Sequence, residues 1–318
     1  MQKAPEFNPD LPYKVVTHFH PDTDALACLW GAIRFVVPLG AAYEFAFVRA
    51  GEGLSAEEAA GYNVLHVDTG GGDFDQHDRP YTRTSSFELL ARHYGFADAP
   101  GVRPILALTV RSDSVEPVEY DSIHWQLSEL PSEFKDVADQ VDRWNAIIDE
   151  ACKILDRNYR AVKQHLESRR MLREYSRPTT LRNKFVVRNI GFHPEVRNAA
   201  FEEGADVVLW TAHRRKRFYP GIQVHRAWHV DLTPVFTALR RKEAEKRGVT
   251  LTEDEIANPK PVAKVGQWFL HGSTHFIGCG TRSHPLVEAG EYTQLTPDEI
   301  YNIVCDELEK VSGPKQHR

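Results

Sequence analysis

The chain has 318 residues, 42% of them hydrophobic and 26% charged. That is ordinary for a globular protein and long enough for two domains, and it excludes disordered, collagen-like and low-complexity chains. The formal net charge of −6 reads at first as an argument against a polyanionic partner. Its distribution says otherwise: residues 1–152 carry a net −14, residues 153–188 a net +8 and residues 214–247 a net +7. An acidic front suits a metal cage, and a basic middle suits an anionic substrate.

Four cysteines, Cys28, Cys152, Cys279 and Cys305, are scattered without C-x-x-C spacing, so neither a disulfide framework nor a zinc ribbon is expected. Met1 to Asp10 contains Glu6 and Asp10 and no apolar run, so no secretory signal is expected. The most apolar stretch, Ala25 to Val48, is broken by Arg34, Pro38 and Glu44, which argues against a membrane span. The expected compartment is reducing and cytoplasmic.

In chain order, Tyr13 to Thr17 reads as a short strand, followed by a polar loop from His18 to Thr23 and a helix with Asp24 at or near its cap. Tyr43 to Val48 reads as a second strand and Ser55 to Ala60 as a short helix capped by Ser55. Val64 to Val67 is a third strand, running into Asp68-Thr69-Gly70-Gly71-Gly72, and Thr84 to Tyr94 is helical. Strands alternating with helices predict a parallel sheet with its chemistry at the C-terminal strand ends. Ser132 to Tyr175 reads as long, Arg-rich amphipathic helix, ended by Pro178. Beyond it the pattern becomes mixed: strands near Phe185, Val207, Tyr219, Trp268 and Phe276, with helices over Thr233 to Arg247 and Pro297 to Leu308. The expected class is α/β, with a parallel-sheet N-terminal domain over 1–130, a helical linker over 131–178 and a smaller mixed α/β C-terminal domain over 179–318.

The most informative segment is His18-Phe19-His20-Pro21-Asp22-Thr23-Asp24, with two imidazoles and two carboxylates at a strand-to-helix turn. Burying such a set is costly without a partner, and a divalent cation is one that suits both ligand types. A second cluster, Asp68 to Asp78, begins where a strand ends; its three glycines let the backbone approach a ligand closely. Asp113 follows the apolar run Leu106 to Val110, a place where a lone Asp is ordinarily a turn or cap residue.

The segment from Thr17 to Ala25 resembles the first motif of the DHH phosphoesterases, a group that includes family II inorganic pyrophosphatases. Val67-Asp68 resembles their second motif, Phe74-Asp75-Gln76-His77 the D-H-H signature, and Asp113 the aspartate of the fourth motif. Val67-Asp68-Thr69-Gly70-Gly71 and His275-Phe276-Ile277-Gly278-Cys279-Gly280-Thr281-Arg282 are similar to stretches of the melanocyte-proliferating-gene (Myg) exonuclease branch. The resemblance implies two Mn²⁺ or Mg²⁺ ions per chain. His18 and Asp22 would hold the first, Asp24, His77 and Asp113 the second, and Asp68 would bridge them. It also implies catalytic roles for Asp68 and His77. His20, beside the cage, reads as a supporting partner, a proton donor or a structural residue. In the C-terminal domain, His275, Gly278, Gly280, Thr281 and Arg282 would grip phosphate. One position departs from the signature: Gln76 stands where the first histidine belongs. Either His77 fills that place, with Asp78 taking part, or the second metal binds more weakly.

The basic tract His213 to Arg217 and the pair Arg169-Arg170 are candidates for a phosphate-backbone channel, with Trp210, Phe218, Tyr219 and Trp228 as candidate base-stacking rings. The bland alternative is a solvated charged face and a set of core aromatics. The functional expectation is a metal-dependent phosphodiesterase, an exonuclease on short or single-stranded RNA or DNA. Two alternatives stand beside it: a phosphohydrolase of a small compound such as a dinucleotide or pyrophosphate, and a non-catalytic nucleotide- or nucleic-acid-binding protein on a decayed site.

Overall fold

A computed structural model describes residues 7–77, 83–117, 119, 122–214, 217–225, 227, 230–272, 275–280 and 292–311. The chain divides into two compact units, Met1–Gln164 and His165–Arg318.

The first unit is built on a three-stranded sheet in the order β2-β1-β3, wholly parallel. Its central strand β1 (Tyr13–His18) buries Val15 and Val16 on opposite faces, as the middle strand of a covered parallel sheet does. From its end the chain enters α1 (Thr23–Gly31), which Asp22 caps and whose every residue is buried. A helix apolar all round belongs inside the core. It continues as a π turn, Ala32–Val36. β2 (Tyr43–Val48) pairs with β1 along its whole length, so that His18 lies opposite Val48. The short α2 (Ala56–Ala59) opens with a capping box between Ser55 and Glu58 and leads to β3 (Asn63–His66). Asn63 secures the start of β3: its side-chain amide donates to the carbonyls of Asn8 and Leu11 at 2.7 and 2.9 Å.

Four helices follow: α3 (Ser86–His93), α4 (Arg103–Asp113), α5 (Ile123–Ser128) and α6 (Leu130–Glu133). The apolar run before Asp113 therefore lies within a helix, and Asp113 is its last residue. Rings fill the core behind α1. Trp30 lies 5.6 Å from Phe35 and 5.8 Å from Tyr159, and Phe35 stacks on Phe96 at 4.4 Å. The long α7 (Gln140–Tyr175) contains the point at which the units divide.

The second unit holds a six-stranded sheet in the order β4-β5-β6-β7-β9-β8. In chain order its elements are β4 (Pro178–Thr180), β5 (Val186–Asn189), α8 (Arg197–Glu202), β6 (Val207–Arg214), β7 (Arg217–Val224), α9 (Thr233–Arg247), α10 (Glu253–Ala257), β8 (Trp268–Leu270), β9 (Phe276–Cys279) and α11 (Pro297–Glu309). β5 and β6 run parallel, and every other pairing is antiparallel. α9 and α11 bury Phe236, Leu239, Val304 and Leu308 against its strands. Arg240 of α9 is fully buried and donates to the carbonyls of Glu255 and Trp268 at 2.7 and 2.9 Å, tying α10 and β8 to the helix. Among the described residues, no helix is long and apolar enough to cross a membrane.

Gly101 marks a close approach in the first unit. A Cβ there would lie 2.3 Å from the Tyr159 ring and 2.7 Å from the Tyr159 carbonyl oxygen, which cannot rotate away. Gly101→Ala is therefore expected to cost about 1–3 kcal/mol, the usual scale of overpacking. A urea midpoint equal to that of the parent protein would show that the loop yields instead.

Candidate metal centre

The site lies at the C-terminal ends of β1 and β3. His18 is the last residue of β1, and its Nδ1–H donates to the Phe19 carbonyl at 2.8 Å. That bond turns Nε2 toward Asp68, whose Oδ2 lies 3.2 Å away. A histidine anchored to a carbonyl through one nitrogen is oriented to offer the other to a cation. Asp22 caps α1 through Oδ1, which accepts from the backbone N–H of Asp24 and Ala25 at 2.9 and 3.0 Å, and its other oxygen makes no part of that cap.

Asp68 adopts φ +53°, in the left-handed region that few residues other than glycine enter. Its N–H donates to the Phe74 carbonyl at 2.9 Å, closing the loop of the three glycines. The turn sends the carboxylate inward: Asp68 is 2% exposed, and its Oδ1 accepts from the Ser86 hydroxyl at 3.1 Å. Backbone strain of this kind costs about 1–3 kcal/mol and persists only where the surrounding structure holds it.

His77 approaches from the other side. Its Nδ1 donates to Asp75 Oδ1 at 2.9 Å, and the same oxygen accepts its backbone N–H at 3.0 Å. Asp75 Oδ2 accepts from Gly71 N–H at 2.9 Å, so Asp75 is buried and held by the glycine loop. Gln76 is buried between these groups, with Nε2 donating to Asp113 Oδ1 at 3.2 Å and Oε1 accepting from Ser86 Oγ.

Two sets of ligand atoms converge, each within 4.8 Å: His18, Asp22 and Asp68, and Asp68, Asp75 and His77. Asp68 belongs to both. Of the residues singled out from sequence, His18, Asp22, Asp68 and His77 stand in these sets, and Asp24 and Asp113 stand in neither. Asp24 is buried, and its two oxygens accept the N–H groups of Ser86 and Phe87 at 2.7 and 3.1 Å, capping the N-terminus of α3. Asp113 closes α4, where the helix dipole disfavours a carboxylate, and it faces Gln76. His20 is exposed, with φ +59° and its ring edge-on to Trp144 at 4.8 Å.

The charges are poorly compensated. Burial and the neighbouring Asp68 and Asp22 carboxylates push Asp24 well above the usual carboxylate range. Burial and the same two neighbours push Asp113 up to about 6. Asp68 is raised by burial and by Asp22, against the pull of His18. Burial opposes a charge on His18, but Asp68, the Phe19 carbonyl and Asp22 outweigh it and carry the imidazole up to about 9. The ion pairs of Asp68 among the described residues are with these imidazoles, His18 at 3.2 Å and His77 at 3.9 Å. Carboxylates that disfavour one another's ionisation, with imidazoles between them, are a donor set that a hard or borderline divalent cation fits.

Other sequence candidates lie in the second unit. His275 precedes β9 and its carbonyl accepts from Val224 N–H at 2.9 Å. Gly278 is buried in β9, where a Cβ would meet the Phe269 ring at 3.0 Å, so that ring would have to give way to any side chain there. Gly280 turns out of the strand at φ +76°. Thr281, Arg282, Asp78, Arg215, Lys216 and Trp228 lie outside the described residues, and the side chains of His213, Arg214, Arg217 and Phe218 are not described. Trp210 is a core residue, stacked on Phe276 at 5.8 Å, and Tyr219 packs against the core. Arg169 and Arg170 pair with Glu203 and Glu167 at 3.5 and 2.6 Å.

Sequence reasoning missed Ser86 and His124. Ser86 joins Asp68 to Gln76, as described above. The His124 ring nitrogen lies 2.9 Å from Thr23 Oγ1 and 3.2 Å from Ser112 Oγ, hydroxyls that each neighbour a site aspartate. The spacing of Ser85 and Glu88 signals the start of α3, but nothing local signals that this start faces Asp24.

No protein-family model and no curated protein matches the chain. Among solved structures it is similar to a pGpG-specific phosphodiesterase, PggH from Vibrio cholerae, at 11% identity and a TM-score of 0.31, covering 93% of this chain and 98% of that one. It is also similar to the DHH domain of a protein described as a member of a ribosomal-protein family, at 12% identity and 0.31, covering 95% and 88%. A third is an uncharacterized protein from Helicobacter pylori G27, at 10% identity and 0.22, covering 94% and 99%. Superpositions this loose carry no function across, and the site is read from its own residues.

Asp24 gives a direct check on that reading. Asp24→Ala removes the acceptor of two helix N-terminal N–H groups and is expected to cost about 1–3 kcal/mol of stability. A melting temperature unchanged by the substitution would show that α3 does not depend on it.

Proposed function

We propose that this chain is a metal-dependent phosphodiesterase acting on short or single-stranded nucleic acid or on a nucleotide. The observation that carries the reading is Asp68, a buried and backbone-strained carboxylate common to two converging ligand sets. His18, Asp22 and Asp68 would hold a divalent cation, Mn²⁺ or Mg²⁺. Such an ion supplies Lewis-acid stabilisation of phosphoryl charge and makes a nearby water more acidic. The resemblance of Thr17–Ala25, Val67-Asp68 and Phe74–His77 to DHH motifs supports phosphoester chemistry.

The protein's own groups have definite tasks in this reading. The Phe19 carbonyl fixes the ring orientation of His18, and Asp75 fixes that of His77. Burial disfavours a charge on His77, but Asp75 and Asp68 outweigh it and raise its affinity for a proton. Exposed on one side, His77 can donate a hydrogen bond or a proton to a phosphoryl or leaving-group oxygen. A cavity of about 290 Å³, lined by Ala50, Gly51, Asp68, Gly71, Asp75 and His77, adjoins it. That space suits a small group of a substrate more than a folded polymer.

The test is Mn²⁺-dependent turnover of a short oligonucleotide, a dinucleotide and pyrophosphate by the parent protein and by Asp68→Ala. The expected result is hydrolysis of a nucleotide diester that falls at least ~10²-fold in the variant, the scale of losing a group that acts on transition-state charge. Full activity in Asp68→Ala would overturn the reading. Turnover of pyrophosphate alone would move the substrate class to small phosphate anhydrides.

A further inference from the structure

We infer that Gln76 closes the second cation position, so that the centre binds one divalent ion, at His18, Asp22 and Asp68, and not a pair. The inference rests on the metal-dependent reading above and concerns how many ions that centre takes.

A second ion beside Asp68 would have to be met by His77 and by Asp113 or Asp24. Asp24, Asp113 and Nδ1 of His77 are already engaged by the protein. The Gln76 side chain is 9% exposed and lies among them. Its Nε2 is 3.2 Å from Asp113 Oδ1 and 3.5 Å from His77 Nε2, the ring nitrogen that Asp75 leaves unused. The amide NH₂ thus sits between the imidazole and the carboxylate that a second cation would need to draw together. An amide nitrogen offers hydrogens and no lone pair, so it satisfies the Asp113 carboxylate as a cation does but cannot ligate one. The amide's ligating atom, Oε1, is taken by the Ser86 hydroxyl, which also reaches Asp68.

The remaining carboxylates on this side are committed as well. Each oxygen of Asp24 accepts a backbone N–H from the start of α3. Each oxygen of Asp75 accepts at least one N–H, from Gly71 or from His77. Recruiting Asp24 would leave the buried N–H groups of Ser86 and Phe87 unpaired, and recruiting Asp75 would release those of Gly71 and His77 that hold the loop. The His18 side has no such obstacle. Only one Asp22 oxygen serves the α1 cap, and His18 turns its Nε2 toward Asp68. The asymmetry is geometric: one set of ligands is open, and the other is cross-linked by a neutral side chain.

Manganese stoichiometry decides the matter without reference to activity. The full chain, stripped with chelator and titrated with Mn²⁺ alone, is expected to bind one ion per chain. Its electron paramagnetic resonance spectrum should be that of an isolated Mn²⁺. Gln76→His, which restores a ligating nitrogen, is expected to bind two, with the spectrum of an exchange-coupled pair. Gln76→Glu, close to the parent side chain in shape, is expected to do the same and covers the case in which the histidine variant does not fold. Two ions of similar affinity on the parent protein would overturn this inference and leave the proposed function standing. No bound Mn²⁺ on the parent would overturn both. A folded variant pair that stays at one ion would show that Gln76 is not what closes the position.

Discussion

The carboxylate of Asp68 is buried just beyond β3, where it and Asp22 make Asp24 and Asp113 harder to ionise. Much of the local architecture of the first unit can be read as a response to that crowding. β1 and β3 pair directly, which brings His18 against Asp68 as its main positive neighbour. The N-terminus of α3 is set against Asp24, where two N–H groups and the helix dipole offset a buried negative group. Asp75 is placed where the glycine loop can supply N–H donors. What remains uncompensated lies toward His18, Asp22 and Asp68, where in the proposed reading a divalent cation would complete the set.

Hydroxyl and amide groups organise the other side of the cluster. Ser86 reaches both Asp68 and Gln76, and Gln76 reaches Asp113. Ser85, one residue earlier, hydrogen-bonds Thr109 of α4 at 2.9 Å. The start of α3 therefore acts as a joint: it caps an aspartate of α1, supports the carboxylate after β3 and contacts α4. A polar network of this kind fixes positions well only when its members are satisfied, and here a neutral glutamine supplies a donor to Asp113 and an acceptor to Ser86.

The second unit answers its own constraints differently. Its strands are mostly antiparallel, and its buried charges are structural. Arg240 is engaged by carbonyl oxygens of a turn-rich segment, and Glu243 by Arg247, Trp268 and the chain at Gln294. The glycine at 278 lies against the Phe269 ring, and the tryptophan at 210 stacks on Phe276 within the core.

Residue order alone determined a good deal. Tyr13 to Thr17, Tyr43 to Val48 and Val64 to Val67 announce strands because β-branched and aromatic residues cluster there, and the intervening helices force parallel pairing. Once that pairing is known, His18 and Asp68 come close, since Val16 pairs with His66 and both chains continue two residues past that pair. The H-x-x-x-D-x-D spacing likewise marked the turn after β1 as the place for chemistry. Only the tertiary structure decided how the nearby acids divide their work. Asp22 and Asp24 are two residues apart and chemically identical in sequence, yet one caps its own helix and keeps an oxygen open, and the other is buried against a helix more than sixty residues away. The fate of Gln76 was equally hidden, because it depends on Ser86 and Asp113, which approach it through helix packing. Local spacing fixes what a side chain can do; the donors that reach it from distant elements fix what it does.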